Sequence, residues 1–188
     1  MLQVEMTPQL LGFKVSGCYG DLDELYDAVW DLTIADDDFP DDERMHGNFD
    51  EQVMSTRLLA LNYDLRHAYQ GSRNIELVPS GMSEQDAQYH EMPFVEKNVV
   101  FSVEILYPEA MYEALVLSYL ADKMERSLRG PGSAWDVRSS DKVAFNSSLC
   151  LVRMYVCRLM AAVKKQATPG RYSRIAKEMA DKYYLVSR

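Results

Sequence analysis

Leu11, Phe13 and Val15 alternate with Gly12, Lys14 and Ser16, the two-residue period of a strand with one buried face. Gly17 and Gly20 punctuate its end. Asp21 then offers a helix N-cap, and Glu24 completes an Asp-x-x-Glu capping box. Leu22, Leu25, Tyr26, Val29 and Trp30 follow at helical spacing, which predicts an amphipathic helix over 21–33. Residues 36–43 have no apolar period and contain Pro40, so 34–49 reads as an acidic loop. A second helix starts near Asp50 with Met54, Leu58, Leu61, Leu65 and Ala68 as its buried stripe, and Gly71 falls where a left-handed C-cap belongs.

Ile75, Leu77 and Pro79 suggest a short strand at a sheet edge, since proline cannot donate to a ladder. Residues 80–96 are polar and irregular, with one helical turn around 83–88. Val99, Phe101, Val103 and Ile105 line one side of the clearest strand. Pro108 opens a long apolar helix that runs to about Leu128, where Gly130, Pro131 and Gly132 stop it. A further helix spans about 140–166. Phe145, Leu149, Val152, Val156, Leu159 and Val163 form one stripe of it, and Cys150, Met154, Cys157 and Ala161 a second, the signature of a central core element. Thr168 and Pro169 cap a basic C-terminal helix, 168–184, carrying Ile175, Met179 and Tyr183. Three strands and about five helices predict a single α+β domain over 1–188, helix-rich, around a small antiparallel or mixed sheet.

Composition agrees with this reading. The chain has 188 residues, 47% hydrophobic and 26% charged, close to the globular average, which excludes a wholly disordered chain. No basic residue precedes the first apolar stretch, and the most apolar region is interrupted by Arg153 and Arg158. A cytoplasmic protein without a membrane span is expected. The three cysteines, Cys18, Cys150 and Cys157, read as thiols of a reducing compartment, the last two as small core residues.

Charge is unevenly spread. Residues 1–51 carry a net of −12, residues 52–163 a net of −2 and residues 164–188 a net of +5, within a total of −9. An acidic surface repels phosphate backbones and disfavours nucleic acid as a partner. The basic tail lacks the glycine turn and second helix of a helix-turn-helix.

The densest polar constellation closes the second helix: Tyr63, Asp64, Arg66, His67, Tyr69 and Arg73. Asp64 and His67 lie three apart and can share a helix face, so the carboxylate could orient the imidazole as a general base. Arg66 would complete that catalytic set, and Arg73, Tyr69 and Tyr63 are candidate binding groups. The structural alternative is that the cations complement the helix dipole and cover its last carbonyls. The acidic loop lacks the sixth-position glycine of an EF-hand, and His46, His67 and His90 show no ligand spacing, so no metal is expected. No phosphate-binding glycine motif and no nucleophile elbow occurs, and no cofactor is expected.

The stretches Gly20-Asp21-Leu22-Asp23-Glu24-Leu25-Tyr26-Asp27 and Tyr63-Asp64-Leu65-Arg66-His67-Ala68-Tyr69-Gln70-Gly71 resemble a family of small bacterial proteins known only as a domain of unknown function. The resemblance covers about residues 8 to 125. It implies a bacterial cytosolic origin and adds interest to His67 and Arg66, and the family has no assigned activity to carry over. Twelve tyrosines, eleven methionines, an acidic front and a basic tail suit a contact surface. The sequence therefore favours a non-enzymatic interaction module whose partner is itself or another protein. The competing reading is a small enzyme, such as a hydrolase, built on Asp64 and His67 with Arg66 or Arg73.

Overall fold

The computed structural model describes residues 1–34, 49–128 and 140–186. Four strands, β1 (Gln3–Met6), β2 (Gly12–Gly17), β3 (Asn74–Pro79) and β4 (Lys97–Leu106), form one sheet in the order β1-β2-β4-β3. Every neighbouring pair is antiparallel. Among the described residues six α-helices accompany it: α1 (Tyr19–Ile34), α2 (Phe49–His67), α3 (Glu84–Tyr89), α4 (Tyr107–Leu128), α5 (Ser140–Gln166) and α6 (Pro169–Val186). The fold is helix-rich α+β. The acidic run 36–43, His46 and the Gly-Pro-Gly stop at 130–132 lie outside the described residues.

Alternation along β2 and β4 does what its period requires. Phe13, Val15, Val103 and Ile105 are buried and join Leu22, Leu25 and Val29 of α1, Leu117 of α4 and Leu159 of α5 in one core. Leu11 is exposed, because it precedes the strand and contributes its carbonyl to Tyr107 N–H (2.8 Å) instead. On the opposite face Lys14 Nζ meets Glu76 Oε1 at 2.6 Å. By the register this pair crosses β4 above Ser102, which is buried beneath it.

The hairpin joining β1 and β2 is closed by Thr7, whose N–H donates to Gly12 C=O (2.9 Å) and whose hydroxyl accepts from Gly12 N–H (3.1 Å). A Cβ at Gly12 would run into the Ile105 carbonyl, a backbone atom that cannot swing away. Gly12→Ala is therefore expected to destabilise the fold by about 1–3 kcal/mol, the usual cost of overpacking, as a lower denaturant midpoint with an unchanged slope.

Two expectations need correction. Helix α1 begins at Tyr19, so Asp21 sits inside it, and its carboxylate reaches back to Cys18 N–H (2.9 Å) rather than serving as the N-cap. It also holds the Met1 ammonium at 2.7 Å. Burial pushes the Asp21 carboxyl up, but these hydrogen bonds outweigh it and leave its pKa lowered. Secondly, α5 buries one face, Leu149, Val152, Tyr155, Leu159, Ala162 and Val163. The second stripe is not core: Cys150, Cys157 and Ala161 are exposed, and all three cysteines are free thiols on the surface. Helix α5 is nonetheless central, touching α1, α4, α6 and β1. The basic C-terminal helix rests Ile175 and Met179, together with Tyr172, on the core against α4 and α5, as its spacing predicts; the side chain of Tyr183 lies outside the described residues.

Candidate functional site

Helix α2 passes directly into a π-helical turn, Ala68–Ser72, in which Gly71 takes φ +80°. A left-handed residue there costs glycine nothing and most other residues a good deal. The turn carries the chain back along the helix, so that Arg73 reaches Asp64 at 2.5 Å. The ring of His67 lies 4.1 Å from that of Tyr63, and the Arg66 guanidinium stands 5.8 Å from the same tyrosine ring. Tyr69 turns the other way, edge-on to Tyr19 (5.2 Å) and Tyr26 (6.1 Å) of α1, and Tyr26 stacks on Trp30.

The six candidate residues thus divide into three groups. Tyr63, Arg66 and His67 share a surface contact, Asp64 and Arg73 form an ion pair, and Tyr69 belongs to an aromatic cluster with α1. That cluster is electronegative. Burial, then Asp23, raises the Tyr69 hydroxyl pKa, and burial with Asp23 and Asp31 raises the Asp27 carboxyl. The Asp64–Arg73 pair is partly exposed, and exposed pairs contribute about 0–1 kcal/mol. Arg73→Ala is accordingly expected to lower stability by no more than about 1 kcal/mol in chemical denaturation.

One buried acid escaped the sequence reading. Glu113 of α4 is 2% exposed and accepts a 3.4 Å hydrogen bond from the hydroxyl of Tyr155, itself fully buried. Burial, with Glu109 and Asp64 adding to it against the Tyr155 hydrogen bond, pushes the Glu113 carboxyl up to about 8. The same surroundings raise Tyr155 well above its ordinary value. Asn62 of α2 is also buried, and among the described residues neither of its side-chain polar atoms has a hydrogen-bond partner. The signal was available, since Glu113 keeps helical step with Ala110 and Leu117 on the apolar face.

Two surfaces remain. Between β1 and α5 runs a groove of about 310 Å³, walled by Val4, Met6, Ala161 and Ala162, with Arg158 and Lys165 on its rim. At the other edge of the sheet, Ile75 and Leu77 of β3 pair with Phe101 and Val99 of β4. By strand alternation they lie on the core-facing side, yet Ile75 is 50%, Leu77 64% and Val99 42% exposed. The helices pack on β1, β2 and β4, while β3 packs on β4 and the π-helical turn. Met92, Phe94 and Val95, in the connection leading to β4, are exposed too.

The profile of the family described as "Domain of unknown function (DUF6904)" matches residues 2–188. The chain belongs to this family. Membership extends over the basic tail and the stretch between α1 and α2, well beyond the motifs that carry the resemblance. No curated protein and no solved structure matches this DUF6904 chain. No described helix is long and apolar enough to cross a membrane.

Proposed function

We propose that this DUF6904 domain is a non-enzymatic protein-interaction module that self-associates in the bacterial cytoplasm. The observation that carries the reading is the β3–β4 edge, which no described helix covers and where Ile75, Leu77 and Val99 stand exposed on the side of the sheet that is elsewhere core. Apolar residues gathered on one uncovered face mark a contact surface more than scattered ones do. Three exposed thiols suit a reducing compartment. The hydrolase reading has less to stand on, because Arg73 engages the carboxylate that was to orient His67, and the imidazole packs on Tyr63.

Amide exchange resolved to single residues tests the proposal. At low protein concentration the Ile75 and Leu77 amides are expected to exchange rapidly, and at high concentration they should become protected. Rates independent of concentration at these positions would remove the β3 edge as the contact surface.

A further inference from the structure

The geometry points to a defined interface: the β3 strands of two copies pair antiparallel about a two-fold axis through Leu77, joining two four-stranded sheets into one of eight. This rests on the self-association proposed above and names its partner surface.

Backbone direction comes first. Ser80 N–H donates to Glu96 C=O at 2.9 Å, one step beyond the Pro79–Lys97 pair. Hydrogen-bonded and non-bonded pairs alternate in an antiparallel ladder, so Asn74, Glu76 and Val78 bond to β4. Ile75, Leu77 and Pro79 consequently aim their backbone groups at the free edge. Pro79, which has no N–H, therefore costs the β3–β4 ladder nothing.

Register comes next. Residues directly opposite each other share a face, so apolar Ile75 and Leu77 must oppose odd-numbered residues of the second copy. A two-fold axis at Glu76 would set the two Glu76 carboxylates face to face, a destabilising like-charge pair. An axis at Leu77 instead opposes Leu77 to its copy, Ile75 to Pro79 and Glu76 to Val78. Four backbone hydrogen bonds close: Leu77 N–H to Leu77 C=O in both directions, and Ile75 N–H to Pro79 C=O in both directions. Each Leu77 already faces Val99 within its own chain. Pairing thus builds a row Val99–Leu77–Leu77–Val99 across the junction.

Closure favours a second copy over an open series. The other sheet edge, β1, lies against α5, which among the described residues leaves β3 as the edge available for extension. Two-fold pairing consumes it and stops there. Each copy carries −9, so repulsion opposes the dimer and added salt should tighten it.

Disulfide trapping tests the register. Cys18, Cys150 and Cys157 are all exposed, so replacing them by serine spares the core. In that background Leu77→Cys is expected to yield roughly tenfold more disulfide-linked dimer than Glu76→Cys. Opposed Cα atoms at position 77 lie about 5.5 Å apart, whereas those at 76 lie beyond the ~7 Å a disulfide tolerates. Leu77→Pro, which leaves the β3–β4 ladder intact, should weaken the dimer by at least roughly tenfold through loss of the central pair. Trapping at 76 in preference to 77 would overturn the register. A dimer in sedimentation that neither cysteine traps would overturn this interface while leaving self-association standing, and a strict monomer would overturn both.

Discussion

Raising the pH from 4.5 to about 8 is expected to cost the fold about 5 kcal/mol through one side chain, Glu113, and Glu113→Gln is expected to lose almost none of it. In the unfolded chain this carboxyl titrates near its ordinary 4.5, while in the core it holds its proton up to about 8. Between those values the native state binds the extra proton, so stability falls as pH rises, the reverse of the usual carboxylate. The stabilising protonated state is fully favoured below 4.5, and the loss levels off above about 8. Each pH step between is worth about 1.4 kcal/mol, so about 3 kcal/mol is already gone at pH 7. Against typical stabilities of about 5–15 kcal/mol this is a large fraction. Urea titrations of both proteins from pH 4.5 to 9 measure it, and parallel curves for the two would show that Glu113 is not the source. The variant's absolute stability is a separate matter, since its buried amide brings a second donor that needs a partner.

Phe13→Ala is expected to remove about 3–5 kcal/mol, the range for emptying a buried aromatic site. Phe13 is completely buried at the centre of the sheet's core face, where its ring stacks on Tyr107 at 5.6 Å. It opposes Met6 on one side and Ile105 on the other, so a void there opens beneath three strands at once. Collapse into it is restricted because β2 is held on both edges. Thermal denaturation should register a fall on the order of 10 °C for a chain of this size. A loss under 1 kcal/mol would mean that the sheet is not the floor of the core.

The contrast between these residues shows what the sequence carried. Phe13 was legible because strand alternation puts it in phase with Val15. Strands β2, β3 and β4, the long helices and the left-handed Gly71 follow from period and punctuation alone. Strand β1 does not, since Gln3–Met6 offers only two half-buried apolar residues at an edge. Nor does the exposure of Leu77 and Val99, because alternation marks a core-facing side without saying how far the helices extend over it. Pairwise spacing was the weakest guide. Asp64 and His67 could meet at three residues apart, yet the π-helical turn delivers Arg73, nine residues on, to Asp64. On α5 the stripe through Leu149, Val152, Leu159 and Val163 is buried as its period predicts, but Tyr155, rather than Cys150 or Cys157, lies beside it in the core.

Sedimentation velocity of the unmodified chain, over a wide concentration range at low and high salt, tests the central claim most directly. A reversible monomer–dimer equilibrium that tightens as salt screens the −9 on each copy is the expected result. A single monomeric species at every concentration and salt would contradict it.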